Sequence, residues 1–70
     1  PDVEEDQLHR FLVMKNRAME IFAGDLRWGI RPDFPKVREM LIEAQNFFLG
    51  LTGKADIGTE RILEYIRETP

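Results

Sequence analysis

Apolar residues recur every three or four positions along two long segments, and this spacing constrains the fold more than any other feature of the chain. Residues so spaced lie on one face of an α-helix. In the first segment, about residues 3–23, the repeat comprises Leu8, Phe11, Leu12, Ala18, Met19 and Phe22. In the second, about residues 34–51, it comprises Phe34, Val37, Met40, Leu41, Ala44, Phe47, Phe48 and Leu51. A short third helix is predicted over about residues 59–68, with inward residues Ile62, Leu63 and Ile66.

Both ends of the first helix carry sequence signals. Asp2 can cap its start, and Glu5 stands three positions later, which is the spacing of a capping box. Gly24 can end the helix, because glycine readily adopts the left-handed conformation found at helix C-termini. Leu26 is also in phase with the apolar repeat, so a helix that continues for one more turn to Gly29 is the alternative.

The starts of the second and third helices are marked in a similar way. Asp33 or Phe34 occupies the capping position of the second helix, and Pro35 falls in its first turn, where a missing N–H costs no hydrogen bond. For the third helix, the predicted capping residue is Thr59.

Chain length and composition limit how this bundle is stabilised. Seventy residues make one domain at most, and without cysteine no disulfide can reinforce it. We therefore predict a single all-α domain over residues 1–70, a small three-helix bundle with the second helix at its centre. We expect this domain to be part of a longer chain.

The connection "GDLRWGIRP" carries more apolar surface than a loop needs. We predict that Trp28, with Leu26 and Ile30, packs over one end of the bundle, because a small core gains much from burying an indole ring. In the alternative, Trp28 is a binding hot spot flanked by Arg27 and Arg31, since Trp and Arg are enriched at the energetic centres of interfaces. Both interpretations hold if the ring is partly buried.

A second apolar line extends beyond the main faces of the two long helices. Met14 and Ile21 continue it on the first helix, and Ile42 and Leu49 stand seven positions apart on the second. A three-helix monomer needs one broad apolar face per helix. The surplus predicts a second interface, with burial of short helices on nearly all sides as the alternative.

Lys15 falls in the middle of the first apolar stripe, one turn from Phe11 and from Met19. Its stem can lie along the apolar surface while the ammonium group reaches solvent. The alternative is a buried lysine paired with a carboxylate, for which Glu39 and Glu43 are the candidates.

The net charge of −3 argues against broad binding to nucleic acid or to an anionic membrane. The charges are nevertheless segregated, with an acidic start and a basic middle. An alternative nucleic-acid contact would use Arg27, Trp28, Arg31, Lys36 and Arg38. A helix-turn-helix is disfavoured, because the third helix presents more acidic than basic residues.

No motif predicts catalysis, a cofactor or a metal. The chain lacks Ser and Cys, so the usual nucleophilic triads cannot form. His9 and Glu5 alone make weak metal ligands, and "GLTGKAD" lacks the spacing of a phosphate-binding loop. No apolar run approaches the length that spans a bilayer. We expect no membrane association and an intracellular location of undefined compartment.

The sequence as a whole predicts a non-catalytic protein–protein interaction or assembly module. Its partner would be another protein, with a second copy of this chain as one candidate. The predicted contact residues are Met14, Ile21, Arg27, Trp28, Arg31, Ile42 and Leu49. The alternative function is a nucleic-acid-binding helical module that uses the basic region between Arg27 and Arg38.

Overall fold

Three helices make up the domain, and the prediction of a small all-α bundle is confirmed. The computed structural model describes residues 4–69. Helix α1 spans Glu5–Arg27, α2 spans Phe34–Thr52 and α3 spans Ile57–Glu68, and no strand occurs in this range.

Helix α1 ends later than Gly24, so the first of the two predicted ends is wrong and the longer alternative is the better one. The N–H of Gly29 donates to the carbonyl of Leu26, and the N–H of Ile30 donates to that of Asp25. This pair of bonds is a Schellman motif, and Gly29 supplies the left-handed residue with φ 72°. Gly24 lies inside α1, three residues before its last residue, and its φ is not positive.

The start of α1 lacks a side-chain cap. The capping residue is Glu4, and its carboxylate accepts no hydrogen bond from the first turn. Glu5 and Asp6 place negative charge beside the positive end of the helix dipole. The predicted cap Asp2 lies outside the described residues.

One of the two other predicted caps is confirmed and one is wrong. Asp33 caps α2, where its side chain accepts from the N–H of Lys36 at 3.2 Å. Helix α3 begins at Ile57, two residues before Thr59, and its cap is Asp56. The Asp56 carboxylate accepts from the N–H of Thr59, so the threonine is a partner of the cap and not the cap itself.

Ring contacts and one ion pair define the directions of the helices. Phe11 stacks near Phe48 with ring centroids 4.5 Å apart, and Phe22 lies 6.1 Å from Phe34, so α1 and α2 are antiparallel. Lys15 contacts Asp56 before α3, whereas Phe22 contacts Tyr65 late in α3. Helix α3 therefore runs parallel to α1.

The core lies where α2 meets both other helices. Its fully buried members are Phe11, Ala18, Val37, Leu41, Ala44 and Ile66. Helix α2 packs against α1 and α3, whereas α1 and α3 contact each other only weakly. This arrangement confirms that α2 is central and leaves a groove between α1 and α3.

Helix α3 has 12 residues and α1 has 23, so α3 flanks only the C-terminal half of α1. Leu8 and Leu12, predicted to face inward, are 40% and 44% exposed. That prediction is wrong because α3 covers this face of α1 only from about Lys15 onward. Leu8 and Leu12 precede Lys15 and are left uncovered.

The prediction that the Trp-containing connection packs over the bundle end is also wrong. The side chain of Trp28 is 79% exposed, and those of Leu26 and Ile30 are more than half exposed. Pro32 is buried and Phe34 is half-buried at this end. They occupy the position that was predicted for the indole ring.

Candidate protein-binding surface

The largest exposed apolar side chains of the described residues include three from the end of α1 and the connection that follows it. Leu26, Trp28 and Ile30 are 53%, 79% and 57% exposed, and together they are called the tip surface. Trp28 immediately follows α1, and its N–H is bonded to the carbonyl of Gly24, so its backbone is held by the helix. The Schellman turn thus fixes the main chain while the indole points into solvent.

An apolar groove adjoins the tip surface. This α1–α3 groove has a volume of about 320 Å³ and is lined by Phe22, Leu26, Arg61, Ile62 and Tyr65. Leu26 belongs to both surfaces and so joins them. Phe22 and Tyr65 meet edge to face with centroids 6.1 Å apart, which gives the floor an aromatic pair. The groove exists because α1 and α3 barely touch.

Arginines border this apolar region. Arg61 lines the groove itself. The guanidinium carbon of Arg31 lies 5.1 Å from the ring centroid of Phe34, within the range of a cation–π contact. Arg27 is exposed but lines a shallow depression on the other side of α1, with Asn16 and Glu20. Two of the three arginines therefore lie beside the aromatic residues at this end.

The residues of the predicted second apolar line are not brought into one patch. Ile21 packs against the buried core, and Met14 is half-buried elsewhere on α1. Ile42 lines a groove between α2 and α3, whereas Leu49 is 39% exposed further along α2. Their role in partner binding stays a prediction.

The basic residues of the alternative nucleic-acid site are also dispersed. Arg38 lines the α2–α3 groove beside Glu60 and Glu64. Lys36 is exposed in the first turn of α2. Arg27 lines the depression on α1, and Trp28 and Arg31 lie in the α1–α2 connection.

Lys15 is paired with a carboxylate, as in the alternative interpretation, but its partner is neither Glu39 nor Glu43. Its Nζ lies 2.8 Å from Oδ2 of Asp56, and both side chains are about one quarter exposed. Glu39 and Glu43, the predicted partners, are exposed on α2. The pair joins the middle of α1 to the start of α3, a contact that depends on tertiary structure and leaves no local sequence signal.

Asp56 is the centre of a polar network. Gln45, which is 8% exposed, donates to the carbonyl of Asp56 and accepts from its N–H. The hydroxyl of Thr59 donates to the Asp56 carboxylate at 2.7 Å. Burial raises the pKa of Asp56, but hydrogen bonds from Lys15 and Thr59 lower it by more, so this pKa lies below its ordinary value of 3.8.

Other sequence candidates have simple positions. His9 and Glu5 are exposed near the start of α1. Within residues 4–69, no three His, Asp or Glu side chains are grouped as metal ligands. No helix in the same range is both long and apolar enough to cross a membrane.

Sequence reasoning missed the contribution of α3 to the exposed apolar surface. Tyr65, which was not among the predicted inward residues of this helix, is 55% exposed and lines the groove. A tyrosine at the edge of an apolar stripe was the available signal.

Comparisons with protein-family models, with curated proteins and with solved structures gave no match.

Proposed function

We propose that this domain is a non-catalytic protein-interaction module that binds a partner protein through the tip surface and the adjoining α1–α3 groove. The observation that carries the proposal is the 79% exposure of Trp28 beside two other exposed apolar side chains. Isolated exposed apolar residues are common on proteins, but three large ones within five consecutive residues, one of which lines an apolar groove, favour a contact site.

The energetics support this proposal. Burial of a large apolar side chain contributes about 1.5–3 kcal/mol, and a chain this small has few such contributions to spare. A partner that covers Trp28, Leu26 and Tyr65 would add burial that the folded monomer lacks. Arg31 and Arg61 at the border would then select acidic or hydrogen-bonding groups on that partner.

The polar interior supports a non-catalytic role. Lys15, Gln45, Asp56 and Thr59 satisfy one another across the helices. Among the described residues, no buried side-chain nitrogen or oxygen atom is without a hydrogen-bond partner. The hydrogen bonds among these groups stabilise the bundle.

The test is site-specific photo-crosslinking in an extract of the source cells. A photoreactive phenylalanine analogue replaces Ile30 in one sample and Glu39, on the exposed side of α2, in the control. We expect a crosslinked protein only from position 30. Excess unlabelled wild type should compete for it, whereas Trp28→Ala should not. The absence of any competed product from position 30 would refute the proposal.

A nucleic-acid contact is the second candidate, and the observation that favours it is the exposed Trp28, with Arg27 and Arg31 close to it in the sequence. An indole can stack on a base, and arginines can contact phosphates. Such binding should fall steeply with salt and be abolished by Arg31→Glu, whereas apolar protein binding should change little with salt. Titration with a single-stranded oligonucleotide at low and high salt separates the two functions.

A further inference from the structure

The N-terminal half of α1 has an apolar face that no other described helix covers. Leu8 and Leu12, one turn apart, are 40% and 44% exposed, and they are called the α1 edge. Helix α3 starts beside Lys15 and runs towards the C-terminal end of α1, so it does not reach either leucine. The α1 edge is therefore an apolar strip that the bundle itself leaves unfilled.

The α1 edge and the α1–α3 groove lie on the same side of one helix. Leu26 follows Leu8 by five turns, since a turn takes about 3.6 residues, and about 27 Å separates them at about 1.5 Å per residue. A second copy that runs antiparallel along this line brings Leu8 of each copy to Leu26 of the other. Both contacts form at the same time, so the two copies make a closed symmetric dimer.

The charges favour this antiparallel alignment. Residues 4–10 carry the acidic side chains Glu4, Glu5 and Asp6 against Arg10, so the start of α1 is net negative. The groove end carries Arg61 on its wall and Arg31 nearby. Parallel pairing would place two acidic starts together, whereas antiparallel pairing places each acidic start beside the arginines of the other copy.

We propose that a second copy of this chain docks antiparallel along α1, so that Leu8 and Leu12 of each copy fill the other copy's α1–α3 groove. This inference rests on the proposed function and names its partner. The partner copy supplies the side chains that a 12-residue α3 is too short to supply. The result is a symmetric dimer with two identical contacts, the commonest form of homo-oligomer.

Cysteine pairs test the alignment directly, because the natural chain contains no cysteine. We expect a mixture of Leu8→Cys and Leu26→Cys chains to form a disulfide-linked dimer under mild oxidation. Leu8→Cys alone should stay uncrosslinked, since its two copies would be far apart in the antiparallel dimer. Asn46→Cys is the control, because Asn46 is exposed on α2 and belongs to no predicted contact surface.

Crosslinking of Leu8→Cys with itself at the same rate as in the mixture would overturn the antiparallel alignment. Equal crosslinking of the Asn46→Cys control with Leu26→Cys chains would show random collision and would also overturn it. Far-ultraviolet circular dichroism of each variant checks that the helices are intact.

Light scattering of the unmodified chain over a concentration range tests the stoichiometry. The mass should rise to two chains and no further, and Leu12→Asp should weaken association by about tenfold or more, since its carboxylate would be desolvated. Asn46→Asp, which adds the same charge at an exposed position of α2, should leave association unchanged. A monomer at every concentration, growth beyond two chains, or an equal effect of Asn46→Asp would each overturn the proposal.

The two proposals fail separately. A monomeric chain that still gives a competed crosslink from position 30 refutes the dimer and leaves the interaction module standing. A chain whose only crosslinked partner is another copy of itself supports both. No competed crosslink and no dimer refute both.

Discussion

The connection from α2 to α3 and the connection from α1 to α2 differ in what their side chains contact. In the first, Asp56 binds Lys15, Gln45 and Thr59, so the side chains of three helices meet at one residue. In the second, backbone hydrogen bonds at Gly29 turn the chain, and the indole of Trp28 contributes little burial.

This difference separates stability from surface chemistry. Removal of a side chain from the Asp56 network leaves a partner without its hydrogen bond inside the bundle. Removal of a side chain from the tip surface changes only the apolar surface that is exposed to solvent or to a partner. The α1–α2 connection is therefore free to carry binding residues, and each prediction below tests one side of this contrast.

The largest effect is expected for Gln45→Ala. The variant loses both hydrogen bonds to the backbone of Asp56 and leaves the Asp56 N–H without a partner, although the Asp56 carbonyl still accepts from the N–H of Glu60. The free energy of unfolding should therefore fall by about 2–3 kcal/mol. Urea unfolding followed by circular dichroism measures it. Asn46→Ala, at the exposed neighbouring position, is the control and should change stability by less than about 0.5 kcal/mol. Equal effects of the two variants would show that the network does not stabilise the bundle.

Asp56→Ala should lower the free energy of unfolding by about 1–2 kcal/mol at neutral pH, mainly through loss of the α3 cap. Because folding lowers the pKa of Asp56, its contribution is present above the ordinary value of 3.8 and is lost as pH falls through the folded-state pKa. The stability difference between wild type and variant should therefore shrink in acid. A difference that stays constant from neutral pH to below pH 3.8 would contradict the assignment.

Two glycines should respond in opposite directions. Gly29→Ala should destabilise the domain by roughly 1 kcal/mol, because φ is 72° there. No steric clash adds to this cost, since no neighbouring atom lies within 4 Å of the added methyl. Gly24→Ala should stabilise it by about 0.4–1 kcal/mol, because the position is helical and equally open. Thermal unfolding of the two variants measures both. The reverse order would mean that α1 ends at Gly24.

The smallest effect is expected for Trp28→Ala, which should change the free energy of unfolding by no more than about 0.5 kcal/mol. Its side chain is 79% exposed and fills no space in the core. The same variant should lose partner binding in the crosslinking assay. A loss of stability comparable to that of Gln45→Ala would return Trp28 to the role of a core residue.

The helices themselves could be predicted from sequence because their signals are local. Periodic apolar residues identified α1, α2 and α3, and Asp33 was one of the two candidates, with Phe34, for the cap of α2. A capping carboxylate at Asp56 was missed because Thr59, three residues later, is also a favoured cap residue. Local chemistry permitted both choices, and in the structure α3 starts at Ile57, directly after Asp56.

The candidate site could be predicted only in part. The periodicity of α1 placed Leu8 and Leu12 on the correct side of the helix, but it carries no information on how far α3 extends beside them. The partner of Lys15 was unpredictable for a similar reason, since Asp56 comes close only after α2 reverses the chain. Hydrophobicity identified Trp28 as important but left open whether it faces inward.

The exposure of Trp28 has a practical consequence for spectroscopy. It is the only tryptophan in the chain, and its indole is already surrounded by solvent in the folded state. Because the wavelength of indole emission follows the polarity around the ring, folded and unfolded chains should emit at similar wavelengths. The wavelength of intrinsic fluorescence will therefore change little on unfolding. It will shift towards the blue when a partner covers the ring.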